Sequence, residues 1–534
     1  MLRNPSTLLL IALLCSCSTT KSTVPIASED PNQLPAEFNE TMPLYEKALG
    51  DFSRASSSVD EKARPYFDQG FQTMYAFAKD DAKRSFREAW KRDPDCAMCY
   101  WGEAWAWGPY LNGKMKNEEA PHAYKAIQKA LSLKEKADPL DQELIDAMAV
   151  RYAENFFALA QPVRDTAYAD AMGKLYEKYP NDLEIGTLYA EALFLLEPRL
   201  GERDLEDPDL QRLHAVLEDV LEKDIKHVGA CHLYIHATES TSDPGKAEGC
   251  AEYIGSSIPG ASHINHMPSH TWNEIGRWGD AVRANIQAWH SDQKAEINEG
   301  FAIYPSHNLH MLLFAASMDG QGAIAMQAGR DYTKLRGNTM YEVLTMIRFG
   351  RFDEVLEVKA RPEGDVPGGM WDFAQGYAHL RKGNIEGATK YLSGIEKVAK
   401  SSTDRFRFHD ARHLLGTVGG ILEGEIRRTQ GRENEAILAL ERAVVFEDSL
   451  QYDEPEPIPF SARHWLGALL LETGQYTDAE QVYQDELDDH PNNGWSYFGL
   501  LKALEAQGKT DADLEEAFRK SWERSDTWIR GSRF

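Results

Sequence analysis

The stretch that decides the fold runs from Gly467 to Pro491 and reads GALLLETGQYTDAEQVYQDELDDHP. Apolar residues recur at steps of three and four on both sides of Gly474, as they do on two amphipathic helices joined by a glycine turn. Small residues such as Gly467 and Ala479 let two helices cross closely, whereas Tyr483 is large enough to fill the space beside them. Because Pro491 cannot continue a helix, the stretch predicts a complete helical hairpin.

The same pattern returns along the chain. An early copy contains Gly70, Ala82, Phe86, Ala89 and Pro94 in the same order. Shorter copies surround four further glycines: Gly350, Gly383, Gly431 and Gly508. Alternating runs of β-branched residues, which would indicate strands, are few. Repeated helical hairpins indicate an all-α array in which each hairpin buries its apolar face against its neighbours.

In order and spacing, these residues resemble the tetratricopeptide repeat. The resemblance covers most of residues 60–525 and implies an all-α, right-handed superhelical solenoid of helical hairpins with a concave face. We expect a signal segment at 1–17, a flexible tether at 18–40 and a solenoid at 41–534. Within the solenoid, histidine-rich central repeats occupy about 228–325, and regular repeats occupy about 370–525.

Seven histidines and one glutamate concentrate in three short pieces of the chain. They are His232, His236 and Glu239, then His263, His266 and His270, and finally His307 and His310. Steps of three and four place the side chains of each piece on one face of a helix. Imidazole and carboxylate are the usual protein ligands of zinc, iron, copper and manganese. We therefore predict a metal site formed by these residues, on the concave face of three adjacent repeats.

The candidate ligands outnumber the coordination positions of one ion, which are about four to six. We therefore expect either two ions, or one ion surrounded by further histidines that do not bind it directly. His236, Glu239, His266 and His270 are the preferred inner ligands because they share a phase on their helices. In a metal-dependent hydrolase or oxygenase, Glu239 would be the catalytic base, and Asn308 would orient a ligand. Two alternatives remain: a groove that binds a peptide or protein without metal, and a purely structural network.

Pro268 interrupts the middle piece. Because proline disfavours helical geometry at Met267, either a helix begins there with proline in its first turn, or a longer helix is kinked. The surrounding sequence resembles a group of bacterial tetratricopeptide proteins with motifs of the form His-x-x-x-His-x-x-Glu, His-Met-Pro-Ser-His and His-Asn-x-His. That resemblance implies the fold and the location of the site, and it implies no reaction.

The N-terminus resembles the signal segment of bacterial lipoproteins. Arg3 provides a positive start, the apolar stretch at 8–14 is too short to span a bilayer, and LCSC at 14–17 resembles a lipobox. The resemblance implies cleavage before Cys17, acylation of its thiol and, because Ser18 follows, attachment to the outer membrane, facing the periplasm or the outside. Secretion without a lipid is the alternative. The Ser-, Thr- and Pro-rich residues that follow favour a tether.

The chain is strongly acidic, with a formal net charge of −27. This charge argues against nucleic acid as a partner and against direct adhesion to anionic lipid, and it is compatible with cationic ligands, including metal ions. After the signal segment, four cysteines remain: Cys96, Cys99, Cys231 and Cys250. An even number permits two disulfides in an oxidising compartment. From the sequence, the disulfide state and a redox role for Cys96 and Cys99 stay open.

Overall fold

The computed structural model describes residue 34, residues 36–198 and residues 201–534. The predicted signal segment with Cys17, and the predicted tether up to residue 33, lie outside the described residues. Within the described part, the chain is almost entirely helical, which confirms the all-α fold class. None of the helices in this part combines the length and the apolar composition needed to cross a membrane.

The helices follow one another with short connections. The N-terminal helices are α1 Arg64–Tyr75, α2 Lys79–Arg92, α3 Ala97–Trp107, α4 Ala120–Leu133, α5 Pro139–Ala149, α6 Gln161–Lys178, α7 Leu183–Phe194 and α8 Pro208–Lys223. The central helices are α9 Val228–Thr238, α10 Glu248–Ile254, α11 Ser262–His266, α12 Pro268–Glu274, α13 Trp278–Ala295, α14 Pro305–Met318, α15 Gly322–Arg336, α16 Met340–Arg348 and α17 Phe352–Glu357. The C-terminal helices are α18 Asp365–Arg381, α19 Ile385–Ser401, α20 Ala411–Thr429, α21 Glu433–Glu447, α22 Arg463–Glu472, α23 Tyr476–Asp489, α24 Gly494–Ala506 and α25 Ala512–Ser521. Short 3₁₀-helices lie at Ala36–Asn39, Lys134–Lys136, Phe156–Ala158 and Pro244–Ala247, and β1 Arg405–Phe406 pairs antiparallel with β2 His409–Asp410.

Neighbouring helices pack in the order of the chain. Consecutive helices lie side by side, and helices two apart also touch, as α1 touches α3 and α22 touches α24. This is the contact pattern of stacked hairpins, in which each hairpin covers the apolar face of the next. The predicted solenoid of helical hairpins is therefore confirmed.

The small and large residues of the repeat meet as the sequence predicts. A Cβ atom added to Gly467 or Gly499 would lie 2.5 or 2.1 Å from the ring of Tyr483. The helices on either side of Tyr483 therefore approach this closely only because both positions are glycine. Gly474 turns the chain between α22 and α23 with a φ of 79°, a left-handed angle that favours glycine.

Contacts between distant parts of the chain close the array around its central helices. Trp495 Nε1 in α24 donates to Ser317 O in α14 at 2.9 Å, which joins the C-terminal repeats to the centre. Gly260 N, just before α11, donates to Ala48 O at 2.9 Å, which joins the N-terminal segment to the centre. The helices that carry the histidine pieces consequently lie between the segment around Ala48 and the C-terminal repeats.

The end of the predicted tether belongs to the packed structure. Ala36–Asn39 form a 3₁₀-helix, and the ring of Phe38 stacks on Trp107 with centroids 5.4 Å apart. Phe38 is buried in this contact. Because an aromatic ring loses its contact with water here, this segment is held by the same hydrophobic effect as the repeats. The packed structure therefore begins before residue 41, where the sequence analysis placed its start.

Candidate metal centre

Helices from three consecutive parts of the array carry the histidine pieces into the interior. His232 and His236 lie in α9, His263 and His266 in α11, His270 in α12, and His307 and His310 in α14. Apart from His307, which is partly exposed, these side chains are buried. Buried polar groups need hydrogen-bond partners or ions, so the contacts of each ring decide its role.

The predicted break at Pro268 is present and takes the first of the two expected forms. Helix α11 ends at His266, and α12 begins at Pro268, which stands in its first turn. Met267 joins the two helices with φ −49° and ψ −38°, so the link stays close to helical geometry. Proline in a first turn gives up no intrahelical hydrogen bond. The two histidines of α11 and the histidine of α12 therefore remain side by side.

The first trio consists of His232, His236 and His263, each of which offers a ring nitrogen within 4.8 Å of the others. The Nε2 atoms of His232 and His263 are 3.2 Å apart. His232 Nδ1 donates to Tyr75 O at 2.6 Å, so its Nε2 carries the lone pair. A backbone carbonyl that holds the outer nitrogen in this way is the common support of a metal-ligating histidine.

Two aromatic residues with left-handed backbone angles cover the first trio. Phe77 has a φ of 61°, and its ring centroid lies 4.1 Å from that of His232. Tyr304 has a φ of 55°, and its ring lies 5.1 Å from His263. Such angles in non-glycine residues collect at functional sites, where the surrounding structure maintains them. The sequence analysis missed both residues, because neither belongs to a motif and both contacts join distant parts of the chain.

The second trio consists of His266, His270 and His307, whose ring nitrogens also lie within 4.8 Å of one another. The Nε2 atoms of His266 and His270 are 2.8 Å apart. His266 Nδ1 donates to Asn285 Oδ1 at 3.1 Å, and the Asn285 amide nitrogen donates to a backbone carbonyl of α13, which sets the orientation of the amide. His270 Nδ1 lies 2.5 Å from Glu239 Oε2, so this nitrogen carries a proton.

The Nε2 lone pairs of His266 and His270 therefore point towards each other. With the proton of both rings on Nδ1, two lone pairs at 2.8 Å repel, and a positive charge between them, either a proton or a metal ion, removes the repulsion. Two nitrogens bound at about 2.0–2.1 Å to one tetrahedral zinc ion are about 3.3 Å apart. The pair is thus already close to the separation of two ligands of one ion.

Glu239 joins the two trios. Its Oε1 accepts a hydrogen bond from His236 Nδ1 at 2.9 Å, and its Oε2 contacts His270 Nδ1. A carboxylate placed on the outer nitrogens of two histidines orients both rings and raises their basicity. In this position Glu239 supports two histidines from behind, whereas the sequence analysis considered it as a metal ligand or as a catalytic base. In a third grouping, however, His236, Glu239, His270 and Glu454 bring one ligand atom each within 4.8 Å, and there Glu239 would be a ligand.

Burial and mutual proximity favour the neutral form of four histidines in the two trios. Burial lowers the pKa of His232, His263 and His266 well below its usual range, and the neighbouring rings lower it further. The pKa of His307 is lowered in the same way, first by burial and then by the rings of His266 and His270. Neutral imidazole is the form that binds a metal ion, so these side chains are ready ligands at neutral pH.

Two predicted residues lie outside both trios. His310 Nε2 is 3.1 Å from Glu456 O, and its ring lies 4.2 Å from that of Tyr341. The side-chain amide of Asn308 donates to Asp292 Oδ2 at 2.8 Å, so this residue ties α14 to α13. A step of three residues falls about 60° short of a full helical turn, which is enough to direct His310 to another neighbour.

A cavity of about 1340 Å³ reaches the second trio, because Glu239 and His270 lie in its wall. Among the described residues, its lining contains fourteen acidic side chains and two arginines, Arg203 and Arg463. The excess of carboxylates produces a negative potential that attracts cations and repels anions. The cavity is therefore suited to admit metal ions and other cationic ligands.

One more group of metal-ligand types, Glu456, Asp489 and His490, lies in the same wall. His490 Nδ1 lies 3.0 Å from Glu486 Oε1, and its Nε2 lies 3.4 Å from Glu456 Oε1. Burial alone would lower the pKa of His490, but the carboxylates of Glu456, Glu486 and Asp489 outweigh burial and raise it well above its usual range. Because a protonated imidazole is not a ligand, this group is an ion-pair cluster.

Both cysteine pairs that the sequence left open form disulfides. Cys96 is joined to Cys99, and Cys231 is joined to Cys250 with Cα atoms 5.0 Å apart. The second disulfide ties α9 to α10 immediately before His232. It therefore limits the movement of the helix that carries two members of the first trio.

The sequence analysis placed the site on the concave face of three adjacent repeats, and in the structure the trios lie inside the closed array. The exposed fraction is 0% for His266 and 2% for His270. The N-terminal segment and the C-terminal repeats cover these helices through contacts that repeat positions cannot reveal. A ligand would thus reach the second trio through the acidic cavity.

Comparison with known proteins identifies a repeat region at the C-terminal end. The tetratricopeptide repeat family matches residues 464–525. Among solved structures, yeast Tom70 is 14% identical, with 87% of this chain and 92% of that chain covered and a TM-score of 0.28. A human IFIT1 dimer is 10% identical, with coverage of 80% and 90% and a TM-score of 0.30. These TM-scores are too low to support an argument about function. The sequence matches no curated protein.

Proposed function

We propose that this solenoid is a metal-binding protein whose interior holds two transition-metal ions, one at each trio. The observation that carries the proposal is the pair of Nε2 atoms of His266 and His270, 2.8 Å apart, each ring having its other nitrogen against an oxygen acceptor. A metal ion between the two lone pairs satisfies both. A shared proton would also do so, but it gives no reason for His307 to add a third neutral imidazole.

The types of ligand atom in the trios limit which metals and which reactions are to be expected. Among zinc, iron, copper and manganese, neutral imidazoles favour the first three over manganese, which prefers oxygen ligands. Three histidines leave one position of a tetrahedral ion open, and an ion of this kind lowers the pKa of bound water to about 7. Metal-dependent hydrolysis is therefore the first reaction class to assay. An oxygenase would instead use two histidines and one carboxylate, as in the grouping of His236, His270 and Glu239.

Elemental analysis of residues 18–534, purified without a histidine tag, tests the proposal. We expect about two ions per chain after reconstitution, one lost in His236→Ala and the other lost in His266→Ala. His379→Ala removes a histidine outside the trios and should retain both ions. A single ion lost in Glu239→Gln but retained in His266→Ala would favour the third grouping. Absence of bound metal in the folded wild-type chain would refute the proposal.

A protein-interaction scaffold without metal is the second candidate. It is supported by the tetratricopeptide repeat match at residues 464–525, because repeat solenoids commonly present extended surfaces to partners. This reading predicts a partner that binds equally well to loaded protein and to protein stripped by a chelator. A partner that is released by the chelator would instead link binding to the trios.

We also propose that the chain is exported and held at the outer membrane by a lipid on Cys17. The lipobox-like LCSC at 14–17 and the two disulfides support this, since disulfides persist in oxidising compartments. Metabolic labelling with an alkyne-tagged palmitate should mark the wild-type chain and Cys15→Ala. Labelling of Cys17→Ala at the wild-type level would contradict the proposed attachment site.

A further inference from the structure

Residues 531–534, the resident segment, form no helix or strand and lie against the C-terminal repeats. Just before them, Trp528 is 85% exposed and Arg530 is also exposed, whereas Ser532 is fully buried. Because the resident segment belongs to no regular element, it is held by the side chains around it. It can therefore leave its place without the unfolding of a helix.

Two side chains of the repeats hold the backbone of the resident segment. Arg348 Nη1, at the end of α16, donates to Ser532 O at 3.2 Å, and the Tyr377 hydroxyl of α18 donates to Phe534 O at 2.7 Å. Trp465 Nε1 donates to the Tyr377 hydroxyl at 2.9 Å, which directs the hydroxyl hydrogen to the segment. Hydrogen bonds to backbone carbonyls hold an extended peptide largely independently of its sequence.

The side chain of Ser532 fits a polar pocket. Its Oγ donates to His464 O at 2.6 Å and lies 2.8 Å from the hydroxyl of Tyr483. Because a serine hydroxyl carries one hydrogen, the Tyr483 hydroxyl is the donor in the second contact. An aliphatic side chain would leave this buried hydroxyl without an acceptor, so the pocket favours serine or threonine.

The side chain of Arg533 lies between two carboxylates. Its Nε is 3.1 Å from Glu425 Oε1, and its Nη2 donates to Glu472 Oε1 at 3.0 Å. Glu425 is fully buried and the Arg533 side chain is 7% exposed, so salt screens this contact little. Arg428 also contacts both carboxylates, so they keep a counter-charge when Arg533 leaves. The pocket therefore favours arginine and tolerates its departure.

An aromatic pocket receives Phe534. Its ring lies 6.0 Å from that of Trp495, edge to face. A Cβ atom added to Gly350 would lie 3.0 Å from the ring of Phe534, so this glycine leaves the space that the ring fills. The surface that holds the resident segment, named the tail groove, is formed by the side chains of Arg348, Tyr377, Glu425, Glu472, Tyr483 and Trp495.

We propose that the tail groove is a peptide-binding site whose partner is a protein segment in which a hydroxyl residue, an arginine and an aromatic residue follow one another. The resident segment has this chemistry and occupies the groove as a built-in competitor. A short linker gives it an effective concentration of about millimolar, so a partner enters when the resident segment leaves. The groove contains no member of a trio, so the inference goes beyond the metal site.

Fluorescence anisotropy with residues 18–534 tests the proposal. The probe is the peptide IRGSRF, the sequence of residues 529–534, with a dye at one end and an amide at the other. Arg533→Ala weakens the resident segment, so this variant should bind the probe about tenfold or more tighter than the wild type. Arg530→Ala removes the neighbouring exposed arginine and should bind like the wild type. Failure of Arg533→Ala to bind the probe more tightly than the wild type would overturn the proposal.

The second variant and the altered probes test the chemistry of the groove. Phe534→Ala weakens the resident segment without removing a charge and should show the same gain. With Arg533→Ala as the receptor, IRGSAF should bind about tenfold weaker than IRGSRF, whereas IAGSRF should bind equally well. Adding Glu472→Gln should weaken IRGSRF by about two- to fivefold, the contribution of a partly exposed ion pair. Equal binding of IRGSAF and IRGSRF would refute selection of arginine.

Light scattering separates a partner protein from a second copy of this chain. If partner binding is the role of the groove, the wild type stays monomeric at the concentrations of the anisotropy experiment. Wild-type dimers that excess IRGSRF dissociates, and that Arg533→Ala does not form, would assign the groove to the segment 531–534 of a second copy and overturn the partner assignment.

Discussion

The Nε2 atoms of His266 and His270 lie 2.8 Å apart, and the opposite nitrogen of each ring faces an oxygen acceptor. This relationship assigns the proton of both rings to Nδ1 and leaves two facing lone pairs. It explains why an amide and a carboxylate stand behind the histidines. In the proposed metal site, the amide of Asn285 and the carboxylate of Glu239 therefore orient the two rings.

Asn285→Ala should weaken metal binding at the second trio by about 10- to 100-fold, because His266 loses the acceptor that orients its ring. Competition with a chromophoric chelator measures the affinity. Asn265→Ala is the matched control: this buried residue of α11 donates to Gly255 O and accepts from Ser291 Oγ, away from the trios. Both variants should lose stability, but only Asn285→Ala should lose affinity. Wild-type affinity in Asn285→Ala would refute this role.

His490→Gln should destabilise the protein in a pH-dependent way. Nearby carboxylates raise the pKa of His490 above its unfolded value of about 6.5. The contribution of His490 to the free energy of unfolding is therefore fully present below about pH 6.5, and it is lost as the pH rises through the pKa of the folded state. We expect the variant to lose about 3 kcal/mol in the free energy of unfolding near pH 6, and less near pH 9. Urea denaturation at both pH values measures this loss, and a loss that grows with pH would contradict the ion-pair assignment.

Replacing Cys231 and Cys250 together by serine should lower the free energy of unfolding by about 3 kcal/mol, because the bond constrains the unfolded chain. The control is the same replacement at Cys96 and Cys99. That bond spans a sequence separation of 3, against 19 for the first pair, so its loss should cost less. Urea denaturation of both double variants decides the matter, and an equal loss would argue against the constraint on the unfolded chain as the main effect.

Gly467→Ala should destabilise the C-terminal repeats by about 1–3 kcal/mol, because its Cβ would lie 2.5 Å from the ring of Tyr483. Gly394→Ala, within α19, is the control, since no atom lies within 4 Å of the added Cβ. There we expect stabilisation of up to about 1 kcal/mol from helix propensity. Thermal unfolding followed by circular dichroism compares the two, and a Gly467→Ala variant as stable as the wild type would show that the packing can relax.

Local spacing was enough to predict the repeats and the region of the site. The glycine, the alanine and the aromatic residue of the hairpin at 467–491 act on immediate neighbours, so their order in the chain carries the information. Steps of three and four likewise identified six histidines that form the two trios. His310 follows the same spacing but turns to Tyr341 and a backbone carbonyl, because which neighbour lies across a helix face depends on packing between helices.

By itself, the sequence determined the helical hairpins, their repetition and the short pieces of chain that hold the histidines, since these follow from interactions between residues close in sequence. Only the tertiary structure decided that the array closes, that Phe77 and Tyr304 cover the first trio, and that Glu239 stands between the two trios. Those arrangements depend on contacts between residues far apart in the chain. A repeat pattern leaves such contacts undetermined, because the small rotation between successive hairpins accumulates into the overall shape.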